Sequence, residues 1–229
     1  MRLEDLNWMD VERYLEQDDR LILILGACEQ HGYLSLLTDI KIPLALADSA
    51  SNQTGGVLVA PPLNFGISPY FLDYPGTLSF GVETMISAVE DIVRSAHRQG
   101  FRRFLLLNGH SGNTSVRHHL NEVNNSLPDM QVRWYDWWSS HSVEVVAQKH
   151  NIKPNHANWL EAFSFTVVGE LPEGNKIPPK VSSAIMDAKT AREVYGDGSF
   201  GGPYRVDDEI MQEVLQAALE DVLLLLKFD

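Results

Sequence analysis

Two short apolar runs constrain this chain more than any other feature. Residues 21–27 read LILILGA, and residues 101–110 read FRRFLLLNGH. A run with no polar face suits a central strand covered on both sides, the pattern of parallel sheets. Each run ends in glycine and then in titratable side chains. In open α/β sheets that position, just beyond the carboxyl end of a strand, is where ligands bind.

The flanking pattern alternates between the two periods. Residues 3–17 suit an amphipathic helix, with Asp10 as a cap before residues 11–15. Residues 40–51 read as a helix with Pro43 tolerated in its first turn. Residues 57–61 form another short apolar run ended by a proline pair, and residues 63–80 read as loop. Over residues 82–99, Met85, Ile86, Val89, Ile92, Val93 and Ala96 share one helical side, and Gly100 follows as a stop. A further helix is expected over 114–125, with strands at 131–134 and 163–168. Residues 170–180 and 195–203 are irregular, and no internal repeat occurs. Strand alternating with helix predicts an α/β fold with a mainly parallel sheet, and residues 1–229 read as a single domain.

Composition narrows the partners. The formal net charge is −13 and the sequence pI about 4.9, which argues against nucleic acid or an anionic membrane surface. No apolar run reaches bilayer-spanning length. Cys28 is the single cysteine, so no intrachain disulfide forms. Residues 1–19 are polar and acidic, without the apolar segment of a secretory signal. These features predict a cytoplasmic protein.

The loop after the first run is EQHGYLSLLTD, residues 29–39. Glu29 and His31 are two apart, so in an extended segment both point the same way. Asp39 returns after a loop, and a carboxylate has two oxygens with which to bridge two ions. The second run delivers His110. Carboxylate oxygens and neutral imidazoles together suit zinc, manganese or iron. If the two strands are neighbours, four candidate ligands converge. Cys28 lacks a basic partner in the sequence and reads as a buried structural thiol. His118 and His119 fall on a predicted helix as solvated or packed residues, and Asp207, Asp208 and Glu209 read as a solvated helix start.

EQHG followed by Thr38-Asp39, and then NGHSGN at 108–113, resemble the signature of the creatininase (creatinine amidohydrolase) family. Tyr74-Pro75-Gly76-Thr77 is similar to that family's Pro-Gly-Thr loop. His156-Ala157-Asn158-Trp159-Leu160-Glu161 is similar to its His-Ala-Gly-x-x-Glu segment. The resemblance implies a three-layer α/β/α sandwich holding divalent metal ions, usually two. By position, Glu29, Asp39 and His110 would hold one ion, and His31 and Asp39 the other. His156 would give or take a proton at the substrate. Glu161 would be a ligand of the second ion or an acid/base group. Relatives also assemble as hexamers, which implies a homo-oligomer.

Two departures stand out. The first loop is one residue shorter than the family's usual EQHG-Pro-His-Leu-Pro form and lacks its histidine. Gly112 occupies the position where creatininase carries a metal-binding glutamate, which leaves Glu161 as the carboxylate for the second ion. The resemblance therefore implies an amidohydrolase that cleaves a C–N bond of a small cyclic amide or formamide with metal-activated water. The alternatives are a relative that opens a keto-inositol (inosose-type) ring, or a catalytically silent metal- or ligand-binding relative. Ser111, Asn113, Trp137, Trp138 and Trp159 are candidate substrate-wall residues.

Overall fold

The computed structural model describes residues 1–127, 129–181 and 185–228. In chain order it runs α1 (Trp8–Leu15), β1 (Arg20–Leu25), α2 (Thr38–Gln53), β2 (Leu58–Val59), α3 (Val82–Gln99) and β3 (Arg103–Asn108). There follow α4 (Thr114–Ser126), β4 (Gln131–Asp136), α5 (His141–Lys149), β5 (Asn175–Lys176), α6 (Ala188–Tyr195), β6 (Gly202–Pro203) and α7 (Asp208–Leu225).

The two apolar runs are adjacent strands. The main sheet has order β2-β1-β3-β4, and every pairing in it is parallel. Leu21 lies opposite Phe104 and Leu25 opposite Asn108. Side chains alternate across a strand, so the sheet feeds two cores. Ile22, Ile24, Leu105 and Leu107 pack with α2, α5 and α7 on one face. Leu21, Leu23, Phe104 and Leu106 pack with α3 and α4 on the other. These strand residues are all essentially inaccessible, and each contributes on the order of 1.5–3 kcal/mol through burial. The result is the expected three-layer α/β/α sandwich.

The connections place the functional end. The chain passes from β1 to β2 on one side, then α3 carries it back past β1 to β3 on the other. The strand order therefore reverses between β1 and β3, and the crevice of such a sheet opens at the carboxyl ends of those strands. Glu29 and His110 follow them.

Several local expectations change. The 3–17 helix is shorter: Leu3–Asp5 is a 3-10 turn, and α1 starts at Trp8. Asn7, not Asp10, is its cap, and Asp10 closes the capping box from the third helical position. Residues 163–168 form no strand: 164–166 are a turn, and Val167 meets Leu34 in one isolated bridge. Thr166 explains this locally: its hydroxyl donates to the Glu161 and Phe163 carbonyls, and its N–H also bonds Phe163 O. Ile92 lies on the exposed margin of α3, whereas Met85, Val89, Val93 and Ala96 are buried.

Pro43 lies inside α2 rather than in its first turn. Proline has no N–H to offer the carbonyl four residues back, so the Asp39 carbonyl loses its helical donor. That carbonyl packs instead against Gly26 and Gly109, the glycines after the two apolar strands. A Cβ at residue 109 would overlap the Asp39 oxygen and reach Pro43 Cγ at 2.7 Å. Gly109→Ala is therefore expected to displace the start of α2 and lower stability by about 1–3 kcal/mol, measured by denaturant unfolding. An unchanged midpoint would show that α2 shifts freely.

Candidate metal centre

Six side chains meet at the β1/β3 crevice. Glu29 and His31 come from the loop after β1, and Asp39 from the first turn of α2. His110 follows β3, while His156 precedes the 3-10 turn Trp159–Glu161 and Glu161 ends it. Glu29, His31, Asp39, His110 and Glu161 are between 1% and 8% exposed. Asp39 sits at the middle. Its Oδ1 is 2.9 Å from His31 Nε2, and its Oδ2 is 3.0 Å from His110 Nδ1. Glu29 Oε2 is 3.6 Å from His110 Nε2, and Glu161 Oε1 is 3.7 Å from His31 Nε2.

The two imidazoles nearest Asp39 are aimed by backbone carbonyls. His31 Nδ1 lies 3.1 Å from Glu29 O, and His110 Nε2 lies 2.9 Å from Ile67 O. A carbonyl accepts only, so each of these nitrogens carries a proton. His31 Nε2 and His110 Nδ1 then face Asp39. This is how metal-binding histidines are commonly oriented from behind. Asn108 steadies the loop, its side-chain amide donating to His110 O and Asp136 Oδ1 at 2.8 Å each. Glu161 Oε2 accepts from the Ala157 N–H at 2.6 Å, and Ala157 holds a left-handed φ of 52° beside His156.

Two atoms at the centre of the cluster, His31 Nε2 and Asp39 Oδ2, are fully buried and make no well-angled hydrogen bond, although Asp39 Oδ1 and His110 Nδ1 stand 2.9 and 3.0 Å from them. Ligand atoms lie within 4.8 Å of one another in the sets Glu29, Asp39, His110 and His31, Asp39, Glu161, which share Asp39. A third such set is Glu29, His31 and His156. The residue types, and two buried central atoms without a well-angled hydrogen bond, fit divalent ions.

The electrostatics agree. Burial alone would lower His31, but Asp39 and Glu161 outweigh it and push it up to about 10. His110 likewise rises to about 9, its burial overcome by Glu29 and Asp39. Burial pushes Asp39 up, yet His31 and His110 hold it well below the usual carboxylate range. Burial raises Glu29, and it raises Glu161 to about 7. His156 falls well below the ordinary imidazole value, first through burial and then through His31. The pocket thus draws positive charge to His31 and His110 and withholds it from His156.

A cavity of about 490 Å³ opens onto Asp39, His110, His156 and Glu161, and Ser111 and Trp138 are among the residues that line it. Asn113, Trp137 and Trp159 do not. Asn113 is fully buried, accepting from Ile67 N and donating to Gly26 O, so it staples loops together. Trp137 and Trp159 are core residues beneath the cavity, because the sandwich needs large apolar volume there. Cys28 is half-buried rather than buried; its Sγ donates to Gly76 O at 3.3 Å, and burial raises its thiol. His119 pairs with Glu90 between α3 and α4, outside the site.

Sequence reading missed Gln30, Phe71, Lys153 and Phe200. Lys153 and Phe200 line the cavity. Phe71 stacks on His156 at 4.9 Å and 13°, and Phe200 covers it at 4.9 Å. The available signal for Phe200 was an aromatic residue embedded in the glycine-rich stretch at 195–203.

These features define an α/β sandwich whose switch-point crevice carries a buried carboxylate–imidazole cluster of metal-binding geometry. The chain belongs to the creatininase family: the family model, described as creatinine amidohydrolase, matches residues 4–226. A creatinine amidohydrolase of Pseudomonas putida is 34% identical over 117 residues, covering 48% of this chain and 45% of that protein. A mycofactocin precursor peptide peptidase of Mycolicibacterium smegmatis is 34% identical over 102 residues, covering 42% and 41%. The aligned region thus spans less than half of either relative. A manganese form of creatininase superposes with a TM-score of 0.81 at 20% identity, covering 97% of this chain and 95% of that one, which shows the shared fold. Among the described residues, no helix is long and apolar enough to cross a membrane.

Proposed function

We propose that the chain is a metal-dependent amidohydrolase that cleaves a C–N bond of a small amide. The observation that carries this reading is Asp39, whose two oxygens face His31 and His110 from one buried carboxylate. Glu29, Asp39 and His110 would hold one divalent ion of the zinc, manganese or iron type, and His31, Asp39 and Glu161 the second. When bound, the ions would polarise the amide carbonyl and lower the pKa of water. Glu161 takes over the second carboxylate position that Gly112 vacates. In the metal-free chain burial raises its carboxyl to about 7, so a Glu161 that is not holding an ion could instead take a proton from cavity water and pass it to the departing nitrogen. His156 faces the same space from beneath Phe71 and Phe200. The cavity volume suits a small molecule or a short peptide terminus. Family membership and the likeness to creatinine amidohydrolase support the reaction class.

The test compares chelated protein with protein reloaded with zinc, manganese or iron. The panel contains cyclic amides, formamides, short peptides and inosose-type ketones, with products read by mass spectrometry. Ion-dependent cleavage of an amide is expected. Turnover that survives chelation, or cleavage of ketones alone, overturns the reading.

Loading should also release protons. Without ions, His31 and His110 hold their extra protons up to about pH 10 and 9. Each must give one up to offer its lone pair, and the raised Glu29 and Glu161 add to the release, so at least about two protons leave near neutral pH when both sets fill. Falling pH then weakens binding, by up to about tenfold per proton per pH unit. Calorimetry in buffers of different ionisation enthalpy measures the number, and a value near zero would contradict the ligand assignment.

A further inference from the structure

We propose that Gln30 fixes His156 in the tautomer protonated on Nδ1, which makes His156 a hydrogen-bond donor into the centre and not a third metal ligand. The Gln30 amide has its orientation set at both ends. Its Oε1 accepts from the Gly32 N–H at 3.1 Å, and its Nε2 donates to Gly198 O at 3.2 Å. A flipped amide would set oxygen against the Gly198 carbonyl and N–H against the Gly32 N–H. The second hydrogen of the amide group is left for His156 Nε2, 2.9 Å away. A nitrogen that accepts that hydrogen has no proton of its own. In a neutral ring the proton is therefore on Nδ1, the atom 3.9 Å from Glu29 Oε1.

The contrast with the other two imidazoles is one of polarity. His31 and His110 give an outer N–H to a carbonyl, so the nitrogen facing Asp39 is the one that can give up its proton and offer a lone pair to an ion. His156 receives an outer N–H from an amide, so its own N–H lies on the side of Glu29, 3.9 Å from Oε1. Three rings of one residue type thus divide into two candidate ligands and one donor, according to whether acceptor or donor stands behind each. The set Glu29, His31 and His156 meets the distance condition for a metal but fails on the direction of the proton. Phe71 and Phe200, packed on the ring, disfavour a charged form. Neutral imidazole as an oriented donor is a known catalytic use of histidine. If the amidohydrolase reading holds, His156 Nδ1–H is placed to bond an oxygen or nitrogen gaining negative charge, while Glu161 carries the proton. Gln30 is then a positioning residue that acts through His156.

The tautomer can be measured without activity, so it stands or falls apart from the hydrolase reading. The full chain is labelled with ¹⁵N-histidine, freed of metal and held in mildly alkaline buffer. Long-range ¹H–¹⁵N correlation separates protonated ring nitrogens from lone-pair ones. The His156 signals are identified by their loss in His156→Gln. A protonated Nδ1 and a lone-pair Nε2 are expected. In Gln30→Glu the amide donor becomes an acceptor, and the proton should move to Nε2. Zinc at saturation should leave Nδ1 of His156 protonated. A proton on Nε2 in the parent, an unaltered pattern in Gln30→Glu, or zinc coordination by His156 overturns the assignment. Circular dichroism confirms that Gln30→Glu is folded, and the parent spectrum decides by itself if it is not.

Discussion

Asp39→Ala is expected to empty both ligand sets at once, whereas Glu161→Gln empties only the one it shares with His31. Asp39 belongs to both sets, and its two oxygens point to different imidazoles. Elemental analysis after dialysis separates the outcomes. Turnover of any amide found in the panel should fall at least about a thousandfold in Asp39→Ala, since Lewis-acid stabilisation is worth several kcal/mol and each 1.36 kcal/mol is a decade. The metal-free chain should also weaken. Asp39 is the main source of the raised proton affinity of His31, and it adds to Glu29 in raising His110, so removing it deprives two buried imidazoles of the counter-charge they share. Breaking a buried charge set from one side costs on the order of 3–5 kcal/mol. Denaturant unfolding of the metal-free variant checks this, and unchanged metal content with an unchanged midpoint would remove Asp39 from the centre.

Much of this was legible locally. The runs at 21–25 and 101–107 carry no polar face, and the two central strands, Arg20–Leu25 and Arg103–Asn108, fall on them. Helix α3 spans residues 82–99 as the spacing of Met85, Val89 and Val93 predicts, and Gly100 stops it at φ 121°. Glu29, His31, Asp39 and His110 converge because strand-end loops of neighbouring strands have nowhere else to point. What escaped depends on distant contacts. Gln30 is bonded to Gly198, 168 residues away, and no local period marks such a pair. Trp137, Trp138 and Trp159 look alike in sequence, yet only Trp138 reaches the cavity. The apolar surface of a tryptophan suits core and pocket equally, and packing decides between them. Helix α5 and most of α7 were also missed. Val214, Ala218 and Val222 of α7 pack against the sheet, but the near-continuous apolar stretch 222–226 blurs the period.

Gly112→Glu, which places a carboxylate where creatininase is expected to carry one, should lower metal affinity instead of raising it. A Cβ at residue 112 would overlap Ile67 O and lie 2.5 Å from His110 Nε2. Those are the acceptor and donor whose 2.9 Å contact turns His110 Nδ1 toward Asp39. The substitution therefore wedges apart the pair that aims a candidate ligand before its own carboxylate can reach an ion. Loss of such an orienting partner costs about 10–100-fold in metal affinity, and the overlap costs about 1–3 kcal/mol of stability. Gly112→Ala should do nearly the same harm, because the clash begins at Cβ. Metal titration of both variants, with unfolding midpoints alongside, makes the comparison. Should Gly112→Glu bind metal more tightly than the parent while Gly112→Ala binds it less tightly, the 66–68 segment must yield to a larger residue. The glutamate position would then still be open in this chain, and Glu161 would lose its claim to the second ion.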